Sequence, residues 1–119
     1  PGATLTLTAA DAALHGRYAA IGGTTAPAPP GLAISERQVI ELMMVQSANN
    51  YAESLAIWAF GSMDAYLAAA RAWLDARGLM TITIADATGF SPSNTASPRA
   101  LLDLGRLALA DPVVSAASA

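Results

Sequence analysis

The chain contains no cysteine, no lysine and a single histidine, His15. Without cysteine, disulfides and thiolate metal centres are excluded, and the redox compartment stays undecided. One imidazole cannot build a zinc site without several carboxylate partners, so neither a metal nor a cofactor is expected. Charge is sparse: 13% of residues are charged, the six basic ones are all arginine and scattered, and the net charge is −3. Phosphates would go unneutralised on such a surface, so no nucleic-acid partner is expected. There is no basic amphipathic face for an anionic membrane. No apolar run approaches the roughly 18 residues that suggest a membrane span. After Pro1-Gly2 the chain shows no basic segment leading into an apolar stretch, so no export signal is read within it.

What is abundant is apolar surface, at 54% of residues with a mean hydropathy of +0.41. A chain of 119 residues is one domain at most. Its core can only be modest. Part of the apolar surface reads as a face made for sequence lying elsewhere.

Leu5 to Thr8 alternates and reads as a strand; so does Thr81 to Ile84, with its isoleucines on one face. Thr8 and Asp11 have capping-box spacing and open a helix carrying Leu14, Tyr18 and Ile21, which Gly22-Gly23 ends. Thr24 to Gly31, with Pro27, Pro29 and Pro30, reads as an extended linker. Ser35 and Gln38 form the clearest capping box, and Ile34 can staple onto Val39. The helix from Val39 to Val45 is apolar on almost every side, which predicts a buried central helix. It stops at Ser47-Ala48-Asn49-Asn50. Asn50 and Glu53 form a further cap-like pair before Tyr51, Leu55 and Trp58. Ser62 starts a fourth helix with Asp64 in its first turn, and Leu74, Gly78 and Leu79 are placed for a Schellman closure. Asp86 to Thr95 reads as loop. Ser97-Pro98 and Asp111-Pro112 are cap-then-proline starts of a fifth helix and a short terminal one.

The chemistry concentrates at Ser47 and Asn49. Residues two apart share a side on extended backbone but not on a helix. If the chain unwinds at Ser47, its hydroxyl and the Asn49 carboxamide can face one cleft, hold a peptide-like substrate and relay a proton. The bland alternative is that both merely cap helices, as Ser and Asn often do. Other arrangements are weaker. A Ser-His-Asp triad would have to recruit His15, which reads as a surface residue beside Gly16 and Arg17. No Gly-x-Ser-x-Gly elbow and no phosphate-cradling glycine loop occur. Glu36, Glu41 and Glu53 lie near the turn, but salt pairing and capping explain them more cheaply than glycoside chemistry does.

The run Ile34-Ser35-Glu36-Arg37-Gln38, the apolar helix and Ser47-Ala48-Asn49-Asn50-Tyr51-Ala52-Glu53-Ser54-Leu55-Ala56 together resemble the serine-type D-alanyl-D-alanine carboxypeptidases. These are the low-molecular-mass penicillin-binding proteins. The likeness continues through Gly78-Leu79-Met80, Asp86-Ala87-Thr88-Gly89-Phe90, Ser97 and Leu101-Leu102-Asp103-Leu104, from about Leu5 to Val114. It implies the helical subregion of the DD-peptidase and serine β-lactamase-like fold. The expectation is a mainly α chain of about five helices, with at most a small two-stranded element from Leu5–Thr8 and Thr81–Ile84. Residues 1–119 would be a single domain, the central helical part of a larger one.

The resemblance also implies roles. Such enzymes use Ser-x-x-Lys for nucleophile and base, Ser-x-Asn on one side of the cleft and Lys-Thr-Gly on the other. Ser47 would then join the proton relay. Asn49 would bond the substrate amide carbonyl and help orient the lysine. Neither is the nucleophile. With no lysine, both other motifs are absent, and the chain alone is expected not to acylate. A longer parent would trim the terminal D-alanine of peptidoglycan stem peptides outside the cytoplasm through an acyl-serine, and β-lactams would inhibit it. The alternative is a non-catalytic helical pseudoenzyme or interaction module. An apolar face without its neighbours would favour homo-oligomers.

Overall fold

The computed structural model describes residues 3–118. In chain order it contains β1 (Thr4–Thr6), α1 (Ala9–Ala20), β2 (Ala33–Ser35), α2 (Glu36–Gln46), α3 (Asn49–Phe60), α4 (Met63–Ala76), α5 (Pro98–Ala110) and α6 (Pro112–Ser118). The mainly helical expectation holds, and the small sheet is present.

The sheet's second strand differs from the expected one. β1 pairs antiparallel with β2, setting Leu5 opposite Ile34, and not with Thr81–Ile84. Both of these side chains are buried in one cluster with Leu7, Val39, Ala48 and Tyr51. The segment at Thr81–Ile84 keeps only a bridge, Thr83 to Thr95. Its Ile82 packs instead with Leu74, Leu79 and Ala100 in a second cluster. The Asp86 loop turns the chain back on itself, so the nearest free backbone edge is the segment's own continuation.

The central helix is α3, not α2. α3 buries Asn50, Tyr51, Ser54 and Ala56, and it packs on α1, α2 and α4. α2 buries only Val39 fully, while Met44 is 40% and Val45 70% exposed. α2 packs mainly on α3 and α6; Leu42 and Met43 lie against the core, while Met44 and Val45 meet solvent.

Local signals act where their partners are close in sequence. Ser35 Oγ accepts from the Gln38 N–H at 3.1 Å, and Gln38 Oε1 accepts from the Ser35 N–H at 3.0 Å. Ser62 and Ser97 cap α4 and α5 in one direction only, their Oγ atoms accepting from the Ala65 and Ala100 N–H groups. At the end of α4, Gly78 takes φ +71°, and the Leu79 N–H reaches the Leu74 carbonyl at 2.9 Å. Leu74 and Leu79 are both buried, which completes the Schellman closure.

The proline-rich segment from Thr24 to Gly31 is a bound strap. Extended proline-rich backbone has no internal hydrogen bonds, so burying it demands outside partners. α3 supplies them: Asn49 and Asn50 bond the backbone of Thr24 and Ala26, and the Tyr51 hydroxyl donates to the Pro27 carbonyl at 2.7 Å. Ala26 and Ala28 are buried as a result.

Candidate active site

α2 ends at Ser47, whose φ of 53° and ψ of 40° place it in the left-handed region. The Ala48 N–H reaches back to the Leu42 carbonyl at 3.2 Å and closes the helix. Left-handed backbone costs an L-residue on the order of 1–2 kcal/mol. Every other positive φ among the described residues belongs to glycine. At Ser47 alone the chain keeps a side chain in spite of that cost.

Ala48 is extended, with φ −73° and ψ 97°, and Asn49 begins α3. The kink brings Ser47 and Asn49 onto one cavity of about 170 Å³, which Thr24, Met43, Ala48, Ala52 and Thr88 also line. Ser47 is exposed and Asn49 half-buried. Neither side chain caps a helix. Ser47 closes α2 through backbone geometry, and the N-cap of α3 is Ala48, which has no capping side chain.

The Asn49 side chain is oriented. Its Nδ2 donates to the Thr24 carbonyl at 2.9 Å, and the same oxygen accepts the Asn49 backbone N–H at 3.0 Å. A carboxamide has two N–H donors and an acceptor oxygen. One donor is spent on Thr24. The second donor and Oδ1 remain, a combination able to bind a carbonyl and an ammonium together.

The Asp86–Thr95 loop, given no site role from the sequence, contributes Thr88 to the lining. The Asp86 carboxylate gathers it, accepting from the backbone N–H groups of Thr88, Gly89 and Ser91 and from Asn94 Nδ2, at 2.7–3.1 Å. Burial alone would raise the Asp86 pKa. The donors from Ser91, Gly89, Asn94 and Thr88 together outweigh it and hold the carboxyl below its ordinary range. The gathered loop presents Thr88 to the cavity. The sequence signals for this were Asp86 two residues before Thr88-Gly89, residue types of a side-chain-stabilised turn, and the place of Asp86–Phe90 in the family resemblance.

The other candidate groups are engaged elsewhere. Glu53 accepts from Arg17 and from the Tyr18 hydroxyl, both at 2.6 Å, and does not cap α3 with Asn50. Burial, then the bond to Glu53, raises the Tyr18 pKa. Glu41 lines a separate cavity of about 530 Å³ between α2 and α6, while Glu36 lines one beside Met43, Leu55 and Trp58. The three glutamates therefore do not converge. His15 is half-buried rather than freely exposed, and its Nδ1 lies 2.8 Å from Thr25 Oγ1. No cluster of three or more potential metal ligands occurs among the described residues. No helix among them is long and apolar enough to cross a membrane.

No protein-family model matches the chain, and no curated protein matches it in sequence. Solved structures do match in fold. A D-alanyl-D-alanine carboxypeptidase from Mycobacterium tuberculosis H37Rv superposes with a TM-score of 0.81 at 21% identity, over 98% of this chain and 42% of that one. A D-alanyl-D-alanine carboxypeptidase from Francisella tularensis gives 0.81 at 18% identity, over 98% of this chain and 27% of its own. Penicillin binding protein 6B from Escherichia coli gives 0.79 at 18%, over 96% of this chain and 36% of its own. The chain thus spans less than half the length of each of these structures. At these identities the likeness establishes architecture: this chain has the fold of the matched portion of the D-alanyl-D-alanine carboxypeptidases.

Proposed function

We propose that this chain is the Ser-x-Asn portion of a serine-type D-alanyl-D-alanine carboxypeptidase, the central helical part of a larger catalytic domain. Ser47 passes a proton toward the leaving group, and Asn49 binds the amide carbonyl of the substrate. The nucleophilic serine and the lysines come from outside these 119 residues, since the chain has no lysine to act as base. The longer protein would act outside the cytoplasm. It would release the terminal D-alanine of peptidoglycan stem peptides through an acyl-serine, and β-lactams would acylate the same serine.

The observation that carries this reading is Ser47 itself. It is a non-glycine residue held at positive φ beside the cavity it shares with Asn49, in a fold common to the D-alanyl-D-alanine carboxypeptidases. Unfavourable backbone retained for a side chain is a mark of functional sites.

The test is covalent labelling by a fluorescent penicillin of this chain and of the longer protein containing it. Labelling of the longer protein alone is expected. There, Ser47→Ala should slow acylation about a hundredfold or more, the range of a lost proton-transfer group. Labelling of neither favours the second reading, a non-catalytic module that keeps the fold; the absence of lysine is what recommends it. Covalent labelling of the isolated chain refutes the assignment of the nucleophile elsewhere.

A further inference from the structure

Beside Asn49 the backbone leaves little room for a side chain. A Cβ on Gly23 would lie 3.2 Å from Phe90 Cε1, 3.3 Å from Asn49 Nδ2 and 3.3 Å from the Tyr18 carbonyl oxygen. Every other glycine among the described residues has open space at that point. Gly23 is also absent from the positive-φ glycines, so its place is a matter of room and not of backbone conformation.

Phe90 reaches this slot from the loop that Asp86 gathers. Its ring meets Tyr18 edge to face with centroids 6.2 Å apart, and the Tyr18 hydroxyl is fixed on Glu53. The ring is 47% exposed, so it contributes placement more than buried area. The Phe90 N–H donates to Thr88 Oγ1 at 3.0 Å, and Thr88 lines the Ser47–Asn49 cavity. One loop therefore lines the cavity through Thr88 and, through Phe90, reaches the Gly23 position that the Asn49 amide also approaches.

We propose that Gly23 and Phe90 are positioning residues for the Asn49 carboxamide, Gly23 by leaving the slot open and Phe90 by filling it. Together they keep Nδ2 on the Thr24 carbonyl, which fixes the direction of Oδ1 and of the second N–H. The assignment takes its functional meaning from reading Asn49 as a substrate-binding group, though its measurement does not depend on that reading. A carboxamide free to turn would offer its donor and acceptor in many directions, and most of its orienting value would be lost.

The test is a nitrogen–proton correlation spectrum of this chain, following the side-chain amide signals of Asn49 and Asn50. Asn50 is the internal control, being held on Ala26 and buried. In Gly23→Ala and in Phe90→Ala the Asn49 pair should shift and exchange faster with water, while the Asn50 pair stays in place. Phe90→Leu, which refills part of the slot, should return the Asn49 pair toward its original position. Phe90→Ala removes a half-exposed ring and keeps the test available if Gly23→Ala does not fold. An Asn49 pair unmoved in Phe90→Ala overturns the proposal, as does a joint shift of both pairs, which would mean general loosening. No ligand enters this measurement. Failure of the functional reading would show separately, as a longer protein that penicillin does not label.

Discussion

Asn50 and Ala26 exchange two hydrogen bonds: the Ala26 N–H donates to Asn50 Oδ1 at 3.1 Å, and Asn50 Nδ2 donates to the Ala26 carbonyl at 2.8 Å. A side-chain amide here does what a neighbouring strand's backbone would do. It stands immediately after Asn49, so the strap and the cavity are held by adjacent residues of one helix turn.

Asn50→Ala is expected to destabilise the chain by about 3 kcal/mol, since it strands a donor and an acceptor in a buried place at roughly 1–3 kcal/mol each. Asn50→Asp should cost at least as much at neutral pH, because a buried carboxylate can accept from Ala26 N–H but repels its carbonyl. Urea unfolding of both variants checks this. A cost under about 1 kcal/mol for Asn50→Ala would mean that water reaches the strap.

Ser47→Gly is expected to leave stability unchanged or raise it by about 1 kcal/mol. Removing the left-handed penalty recovers roughly 1–2 kcal/mol, while the entropy of a new glycine takes back roughly 0.5–1. The denaturation midpoint reports the balance. In the longer protein the same substitution should slow penicillin acylation, a stability gain set against activity. A clear loss of stability would make the hydroxyl a structural group.

Asp86 gives the loop a dependence on acid. Its folded pKa lies below the ordinary carboxylate value, so the stabilisation is fully present above about pH 4–5 and is lost as pH falls through the folded value. Asp86→Asn should flatten that part of the stability–pH profile. Asp86→Ala should cost about 1 kcal/mol at neutral pH, a value discounted for partial exposure. The amides of Thr88, Gly89 and Ser91 should lose hydrogen-exchange protection in Asp86→Ala; unchanged protection would show that the loop is held by other groups.

The apolar side chains left in solvent, among them Val45, Met80, Leu101, Leu102 and Leu109, predict self-association. Light scattering over rising concentration should show species heavier than 12.1 kDa. A single monomeric mass at the highest concentration counts against it.

Helix beginnings and ends were legible from residues alone because their partners lie two to five positions away. Ser35 with Gln38, Ser97 before Pro98, Asp111 before Pro112 and the Gly78 closure all belong to this class. At Ser47 and Asn49 the residues alone left a shared cleft and mere capping both open, and the structure sets the two on one cavity. The long-range partners were not legible. Asn50 and Glu53 have the spacing of a cap pair, yet they bond Ala26, Arg17 and Tyr18, which lie 24 to 36 positions away. β1 found Ala33–Ser35 and not Thr81–Ile84 because the choice turned on which apolar face could be buried together. Apolar periodicity likewise predicted α2 as the central helix, although burial depends on how many neighbours arrive, and more of them arrive at α3. The residues by themselves thus determined where helices start and where they stop, since those are contests between adjacent backbone groups. Only the packed chain decided that Thr88 shares a cavity with Asn49 and that Gly23 lies between Asn49 and Phe90, because those juxtapositions exist only after distant segments have spent their apolar surface on one another.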